Sequence, residues 1–154
     1  MKIILIITLG AILYQDVKER LVYWFLFPMV ALCLGMLFYS NVIPQMFFAS
    51  VFMNLIFIAI LLLVVLLYSK IKLKTKFNTV FGSGDIVFFL AMVFSFSTIT
   101  FMILFISALI FSLVLHLVVK NKQRSVPLAG YMSLFFGLVY LGYWSGIIKS
   151  IYRF

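Results

Sequence analysis

Carboxylates are scarce in this chain. Among 154 residues the only acidic side chains are Asp16, Glu19 and Asp85, against twelve Lys and Arg, for a net charge of +9. Each acid therefore needs a reason of its own. Cysteine is scarcer still: Cys33 stands alone, which excludes an internal disulfide and any cysteine-based zinc site. Charge of either sign is sparse, at 10% of residues, while 67% are apolar. A soluble domain carries about 25% charged and roughly 45–50% apolar residues, and one of this length has too little interior to hide such a surplus. The same figures exclude a disordered chain, a collagen-like repeat, a coiled coil and a disulfide scaffold. What remains is an all-α polytopic membrane protein, expected as a single domain over residues 1–154.

What is present is a series of long apolar runs. A bilayer core about 30 Å thick takes about 20 apolar residues per helix. Six runs read as transmembrane helices, residues 3–14, 21–39, 44–68, 86–96, 99–119 and 128–148, the first and fourth short. Basic residues fall between them, at Lys18 and Arg20, at Lys70, Lys72, Lys74 and Lys76, and at Lys120, Lys122 and Arg124. Alternate loops thus hold nine basic residues on one side, against three (Lys2, Lys149 and Arg153) on the other. The positive-inside rule places the richer side in the cytoplasm and both termini on the non-cytoplasmic side. Tyr23, Trp24 and Tyr68 then fall at the inner interface, and Tyr39, Tyr143 and Trp144 at the outer one, where aromatic belts sit. With the basic residues accounted for in this way, no nucleic-acid partner is expected. Anionic lipids at the cytoplasmic face are. The N-terminal run is expected to be retained, because Tyr14-Gln15-Asp16 lacks the small residues of a signal cleavage site.

Two of the three acids reach the same leaflet. Fifteen residues of helix rise about 22 Å, so a first helix begun at the outer boundary leaves Asp16 inside the cytoplasmic edge of the hydrocarbon. Asp85 opens the fourth helix from the same side. A carboxylate at membrane depth costs roughly 2.5–3.5 kcal/mol or more, and by default it signals function. Two that share a site keep one proton between them and divide into an acid and a base. Such a pair can hydrolyse an amide: the carboxylate takes a proton from water while its protonated partner polarises the carbonyl. Asp85 stands in Phe81-Gly82-Ser83-Gly84-Asp85-Ile86. Glycines ahead of a helix let the backbone take positive φ and approach an extended peptide closely, and the helix start offers free N–H groups. The plainer alternative makes Asp85 the N-cap of the fourth helix. The shortness of that helix and its two glycines also predict that it moves to bring the carboxylates together.

Gly82-Ser83-Gly84-Asp85 resembles the GxGD motif of intramembrane aspartyl proteases. Asp16-Val17-Lys18-Glu19-Arg20-Leu21-Val22 resembles the first-aspartate motif of type IV prepilin peptidases, in which an Asp ends the first peptidase helix and precedes a basic, amphipathic stretch. Val126-Pro127-Leu128-Ala129-Gly130 resembles the proline-containing start of that family's last helix. The resemblance runs over nearly the whole chain, in the same order. It implies a catalytic dyad of Asp16 and Asp85, with Gly82, Ser83, Gly84, Arg20 and Pro127 as motif or substrate-positioning residues. It further implies an endopeptidase without metal or cofactor. Such an enzyme removes the short basic leader of prepilin-like or archaellin-like precursors at the cytoplasmic face of a bacterial inner or archaeal cytoplasmic membrane. Larger members carry an N-terminal domain with paired Cys-x-x-Cys motifs and N-methylate the new N-terminus. With Cys33 alone, the expectation here is a short form with peptidase activity only. Two positions depart from the pattern. Tyr23-Trp24 stand where the family has Pro-Asn, and Val87 stands where it has Lys; both bear on substrate choice and on activity. The basic inner loops also repel a basic leader while suiting anionic head groups.

The other polar residues have simpler readings. Glu19, one turn after Asp16, is expected to pair with Lys18 or Arg20 at the interface. Arg20 reaches toward head groups or, by its position, orients the dyad or substrate. His116 reads as a helix-end residue rather than a proton shuttle. Asn54 predicts an interhelical hydrogen bond, and Gly142 with Gly146 predicts a close helix crossing. The Gly-x-Ser-x-Gly elbow of serine hydrolases is absent, and Ser83 has no base. A second class of function is non-enzymatic: a small proton- or ion-coupled transporter or a catalytically silent homologue, since buried carboxylates also serve proton relays. The outer half of the chain carries almost no ionisable residue, which counts against a path through it.

Overall fold

The computed structural model describes residues 1–73, 82–119, 126–148 and 151–152. Lys74, Lys76, Lys120, Lys122, Arg124, Lys149 and Arg153, on which much of the charge asymmetry rests, lie outside the described residues. Among the described residues there is no strand, and six α-helices follow one another: α1 (Lys2–Lys18), α2 (Leu26–Tyr39), α3 (Pro44–Tyr68), α4 (Ser83–Met92), α5 (Thr98–Val119) and α6 (Leu128–Trp144). A π-helical segment, Ser69–Leu73, prolongs α3.

Each expected run corresponds to one helix, with shifted ends. The second run begins as apolar chain at Leu21, yet α2 starts only at Leu26. Pro28 is the cause: it has no N–H for the Trp24 carbonyl, and its ring clashes with that carbonyl in a helix. Pro44 opens α3 at its first position, where a missing N–H costs nothing. The sixth run was expected to continue to Ile148, but α6 stops at Trp144, and Gly146 follows in the left-handed conformation at φ 81°. Gly146 is thus a helix terminator. The close crossing expected of Gly142 and Gly146 is not formed by a helix face. The space over Gly142 is filled by the returning Ile148 side chain, 3.2 Å from where a Cβ would stand.

α1 packs mainly along α6, which also packs on α5; α2 lies against α1 and α4. On α1 the buried residues Leu5, Leu9, Ile12 and Asp16 recur at helical spacing, so the carboxylate continues an apolar seam. Lys2 Nζ lies 5.5 Å from the Trp144 ring, and Asp16 at the other end meets Gly130. The two helices are therefore antiparallel, with the end of α1 beside the start of α6.

Two helices are long and apolar enough to cross a membrane, α3 with its extension and α5. α3 is apolar on its outside. Its buried positions are Ser50, Asn54 and Ile58, while Phe48, Phe52, Leu55, Ile60 and Leu63 are exposed.

α4 is a half-length element. Its ten residues rise about 15 Å, and the chain then turns within the bundle through Val93, Ser95, Phe96 and Ser97, all buried. Asn54 makes this turn possible. Its Nδ2 donates to the carbonyls of Val93 and Phe96, each at 3.0 Å. Ser95 Oγ donates to Met92 O, and Tyr140 Oη to Ser95 O. The carbonyls that a helix end leaves free are thus met by side chains from α3, α6 and the turn itself. The interhelical hydrogen bond expected of Asn54 is present, joining α3 to the α4–α5 turn.

Candidate active site

The site is built on the start of α6. Pro127 takes φ −76° and ψ 77°, and Leu128 N–H donates to Val126 O at 2.9 Å. This is an inverse γ-turn, and it uses up the first amide of the helix. The next two, of Ala129 and Gly130, belong to the free donors of a helix start. Pro127 offers no side chain to cap them. Two carboxylates from elsewhere in the chain do so instead.

Asp85 Oδ1 accepts from the Ala129 N–H at 3.0 Å, and Asp16 Oδ2 accepts from the Gly130 N–H at 2.6 Å. The acids are thus held by consecutive peptide groups, at the positive end of the α6 dipole. With successive helix nitrogens about 3 Å apart, the two bound oxygens lie within roughly 9 Å of each other. Among the described residues no hydrogen bond joins the two carboxylates directly. Asp16 is buried and Asp85 half-buried.

Each carboxylate also rests against a glycine. A Cβ on Gly130 would stand 3.1 Å from both Cβ and Oδ2 of Asp16, and a Cβ on Gly82 would stand 3.2 Å from Asp85 Oδ2. Gly84 faces the ring of Phe27, with Cζ 3.7 Å from the Cβ position. This corrects the expectation of positive φ at the paired glycines. Gly82 is extended, at φ −65° and ψ 140°, and neither Gly82 nor Gly84 adopts positive φ. Gly82 is required for space: the carboxylate of Asp85 folds back over it. Gly82 is also the N-cap, with Asp85 three residues on and its N–H bonded to Gly82 O. The N-cap reading of Asp85 is thus replaced by the third position of the helix, where an acid turns back toward the cap.

Arg20 follows α1 directly. It is half-buried, four residues beyond Asp16. The linker around it is tied back to α1 by Gln15 Oε1, which accepts the Tyr23 N–H at 3.1 Å. Tyr23, Trp24 and Val87 are all exposed. Ser83 is exposed at the first position of α4. Lys18, an expected partner of Glu19, instead donates to Tyr14 Oη at 2.7 Å and lies over that ring. His116 lies in the last turn of α5, its Nδ1 shielded and without a hydrogen-bond partner among the described residues.

Sequence reasoning singled out Pro127 but passed over Ala129 and Gly130 as donors. The available signal was a helix start with no Ser, Thr, Asp or Asn to cap it, beside two acids at other helix ends. Among the described residues no group of three or more His, Cys, Asp or Glu side chains comes together. An apolar groove of about 330 Å³, lined by Gly35, Met36, Tyr39, Phe47 and Phe94 among others, includes none of these site residues. Comparison with protein-family models, curated proteins and solved structures finds no match for the chain.

Proposed function

We propose that this chain is a membrane-embedded aspartyl endopeptidase of the prepilin-peptidase type, with Asp16 and Asp85 as its dyad. The observation that carries the reading is the convergence of the two acids, from sequence positions far apart, on consecutive amides of one helix start. In the reaction, one carboxylate takes a proton from water as its oxygen bonds to the scissile carbonyl carbon. The protonated partner hydrogen-bonds the carbonyl oxygen and then gives its proton to the leaving nitrogen. Arg20 and the α6 dipole offset the negative charge of the pair.

The membrane setting is part of the same proposal. α3 exposes large apolar side chains and buries Ser50 and Asn54, an arrangement suited to lipid rather than water. Six helices alternating in direction put the ends of α1, α3 and α5 on one face with the starts of α2, α4 and α6. That face is the cytoplasmic one by the basic loops, and the termini lie opposite. α4 reaches only part-way, and irregular backbone at membrane depth is tolerated where protein buries it, as around Ser95. Prepilin-like precursors are the proposed substrates, and anionic lipids the proposed surroundings of the site's face.

The test is co-expression of wild type, Asp16→Asn and Asp85→Asn with a panel of prepilin-like substrates in membranes. An asparagine oxygen can still accept the Ala129 or Gly130 N–H, so both variants are expected to fold. A leader-sized mobility shift with wild type and none with either variant is the expected result. Full cleavage by either variant overturns the dyad.

One observation favours a second reading. Both carboxylates already serve as caps for an α6 start that has none of its own. A catalytically silent relative would retain the two acids for that purpose alone. It predicts no cleavage by a folded wild type, and a loss of stability when either acid becomes alanine.

A further inference from the structure

Serine and threonine inside a helix commonly turn the hydroxyl back onto a carbonyl one turn earlier. Thr8, Ser107 and Ser133 each do so. Ser112 lies on α5 with Ser107 and does not. Its Oγ is fully buried and has no hydrogen-bond partner among the described residues. One turn nearer the end of α5, His116 Nδ1 is also shielded and unmet among them. So is Tyr131 Oη on α6, in a residue only 4% exposed.

The three atoms belong to one seam. Phe96, just before α5, stacks on Tyr140, and the rings of Phe111 and Phe135 lie 5.5 Å apart, so α5 and α6 are antiparallel. Ser112 continues the buried row of Phe101, Phe105 and Ala108 on α5, and His116 extends it by one turn. Tyr131 lies one turn before Phe135, on the same face of α6. A turn toward the end of α5 from Phe111 and a turn toward the start of α6 from Phe135 reach the same level. His116 and Tyr131 are therefore level with each other, and Ser112 lies about 6 Å deeper along α5.

A buried polar atom without a partner is costly, and native proteins hold few of them. Three along one seam point to a shared partner. Two hydroxyls and one imidazole can each donate or accept, which matches water better than a metal cation or a phosphate. A buried water makes about three hydrogen bonds.

We propose that Ser112, His116 and Tyr131 form a buried water site between α5 and α6, from which the dyad draws its hydrolytic water. The supply role rests on the peptidase reading. Tyr131 directly follows Gly130, whose N–H holds Asp16. The site and the acid thus flank one stretch of α6, about 100° apart round the helix. A hydrolase set among lipid-facing helices needs such a reserve, because the hydrocarbon supplies no water.

The water site is tested without substrate. Radiolytic hydroxyl-radical footprinting of the full chain in detergent oxidises side chains that touch water. Tyr140 is the control, since it is fully buried and its Oη already donates to Ser95 O. Tyr131 is expected to be labelled at least about fivefold faster than Tyr140, as a side chain in contact with buried water. Tyr131→Phe reads the same site by stability. It removes a hydroxyl bonded to water, so Tm is expected to fall by about 2–4 °C. In a dry seam the same substitution deletes an unmet polar group and raises Tm. Labelling of Tyr131 no faster than that of Tyr140, or a Tm that does not fall in Tyr131→Phe, overturns the site. Where a cleaved substrate is in hand, Ser112→Ala tests the supply role from a position remote from both acids. It is expected to lower kcat by about three- to tenfold and to leave KM unchanged, as a loss confined to the chemical step does. An unchanged kcat overturns the supply role. If wild type cleaves nothing, the peptidase reading fails, while labelling and Tm still decide the water site.

Discussion

Asp16 and Asp85 accept hydrogen bonds from adjacent peptide groups, Asp85 from Ala129 and Asp16 from Gly130. Sequence separates the acids by nearly half of the chain, and a single turn of α6 brings them together. The geometry of that turn therefore controls both at once.

Gly130→Ala tests how tightly. The added Cβ would stand 3.1 Å from Asp16 Oδ2, and the buried carboxylate has little room to retreat. Displacing a catalytic group by about 1 Å can cost roughly 100-fold in rate, and a loss of that order is expected. Gly137, two turns further along α6, has open space where its Cβ would stand. Gly137→Ala is expected to keep full cleavage and to stabilise the helix by roughly 0.5–1 kcal/mol. Equal activities for the two variants would remove the steric argument.

Gly82→Ala probes the other acid. Its Cβ would come 3.2 Å from Asp85 Oδ2, with the Gly82 backbone already in an extended conformation open to any residue. The fold is expected to survive with Tm within about 2 °C, a shift of roughly half a kcal/mol or less for a chain of this size. Cleavage is expected to fall at least tenfold, because the carboxylate must swing away from Ala129. Unchanged cleavage at unchanged Tm would show that Asp85 tolerates the shift.

Much of this site was legible before the fold was known. Asp16 lies near the end of one apolar run, Asp85 at the start of another and Pro127 before a third, and alternation of direction puts all three at one end of a helical bundle. The amides of Ala129 and Gly130 were not legible, because a backbone donor has no side-chain signature. The role of the paired glycines was misjudged for a related reason. Glycine serves both unusual φ and close approach, and only the coordinates of Asp85 distinguish them. The end of α4 was hidden by composition. Val93, Phe94 and Phe96 are as apolar as the helix before them, so periodicity runs on past Met92 while the chain turns. The late start of α2, by contrast, was readable from Pro28 alone.

The far end of the bundle offers a control. Gly146 holds φ 81° beyond α6, remote from the acids at the helix start. Gly146→Ala is expected to cost about 1 kcal/mol through left-handed strain and to leave cleavage per folded molecule unchanged. A selective loss of activity without loss of stability would tie the α6 C-terminus to the reaction.

Asn54 supplies the sharpest stability test, because it acts on a helix end forty residues away. Its Nδ2 meets two carbonyls, of the buried residues Val93 and Phe96, in the turn after α4. Asn54→Leu keeps the volume and removes both hydrogen bonds. Each orphaned acceptor costs about 1–3 kcal/mol, and neither can turn to water without opening the bundle. A destabilisation of about 2–4 kcal/mol is expected, seen as a fall in Tm of at least about 5 °C. Asn54→Asp is expected to be worse, since an ionised carboxylate donates nothing and faces two carbonyl oxygens. Asn54→Gln retains the donor but overshoots by one methylene, so it should fall between wild type and leucine. A leucine variant within 1 °C of wild type would mean that the α4–α5 turn finds other donors, and that α4 stops at Met92 for a reason other than Asn54.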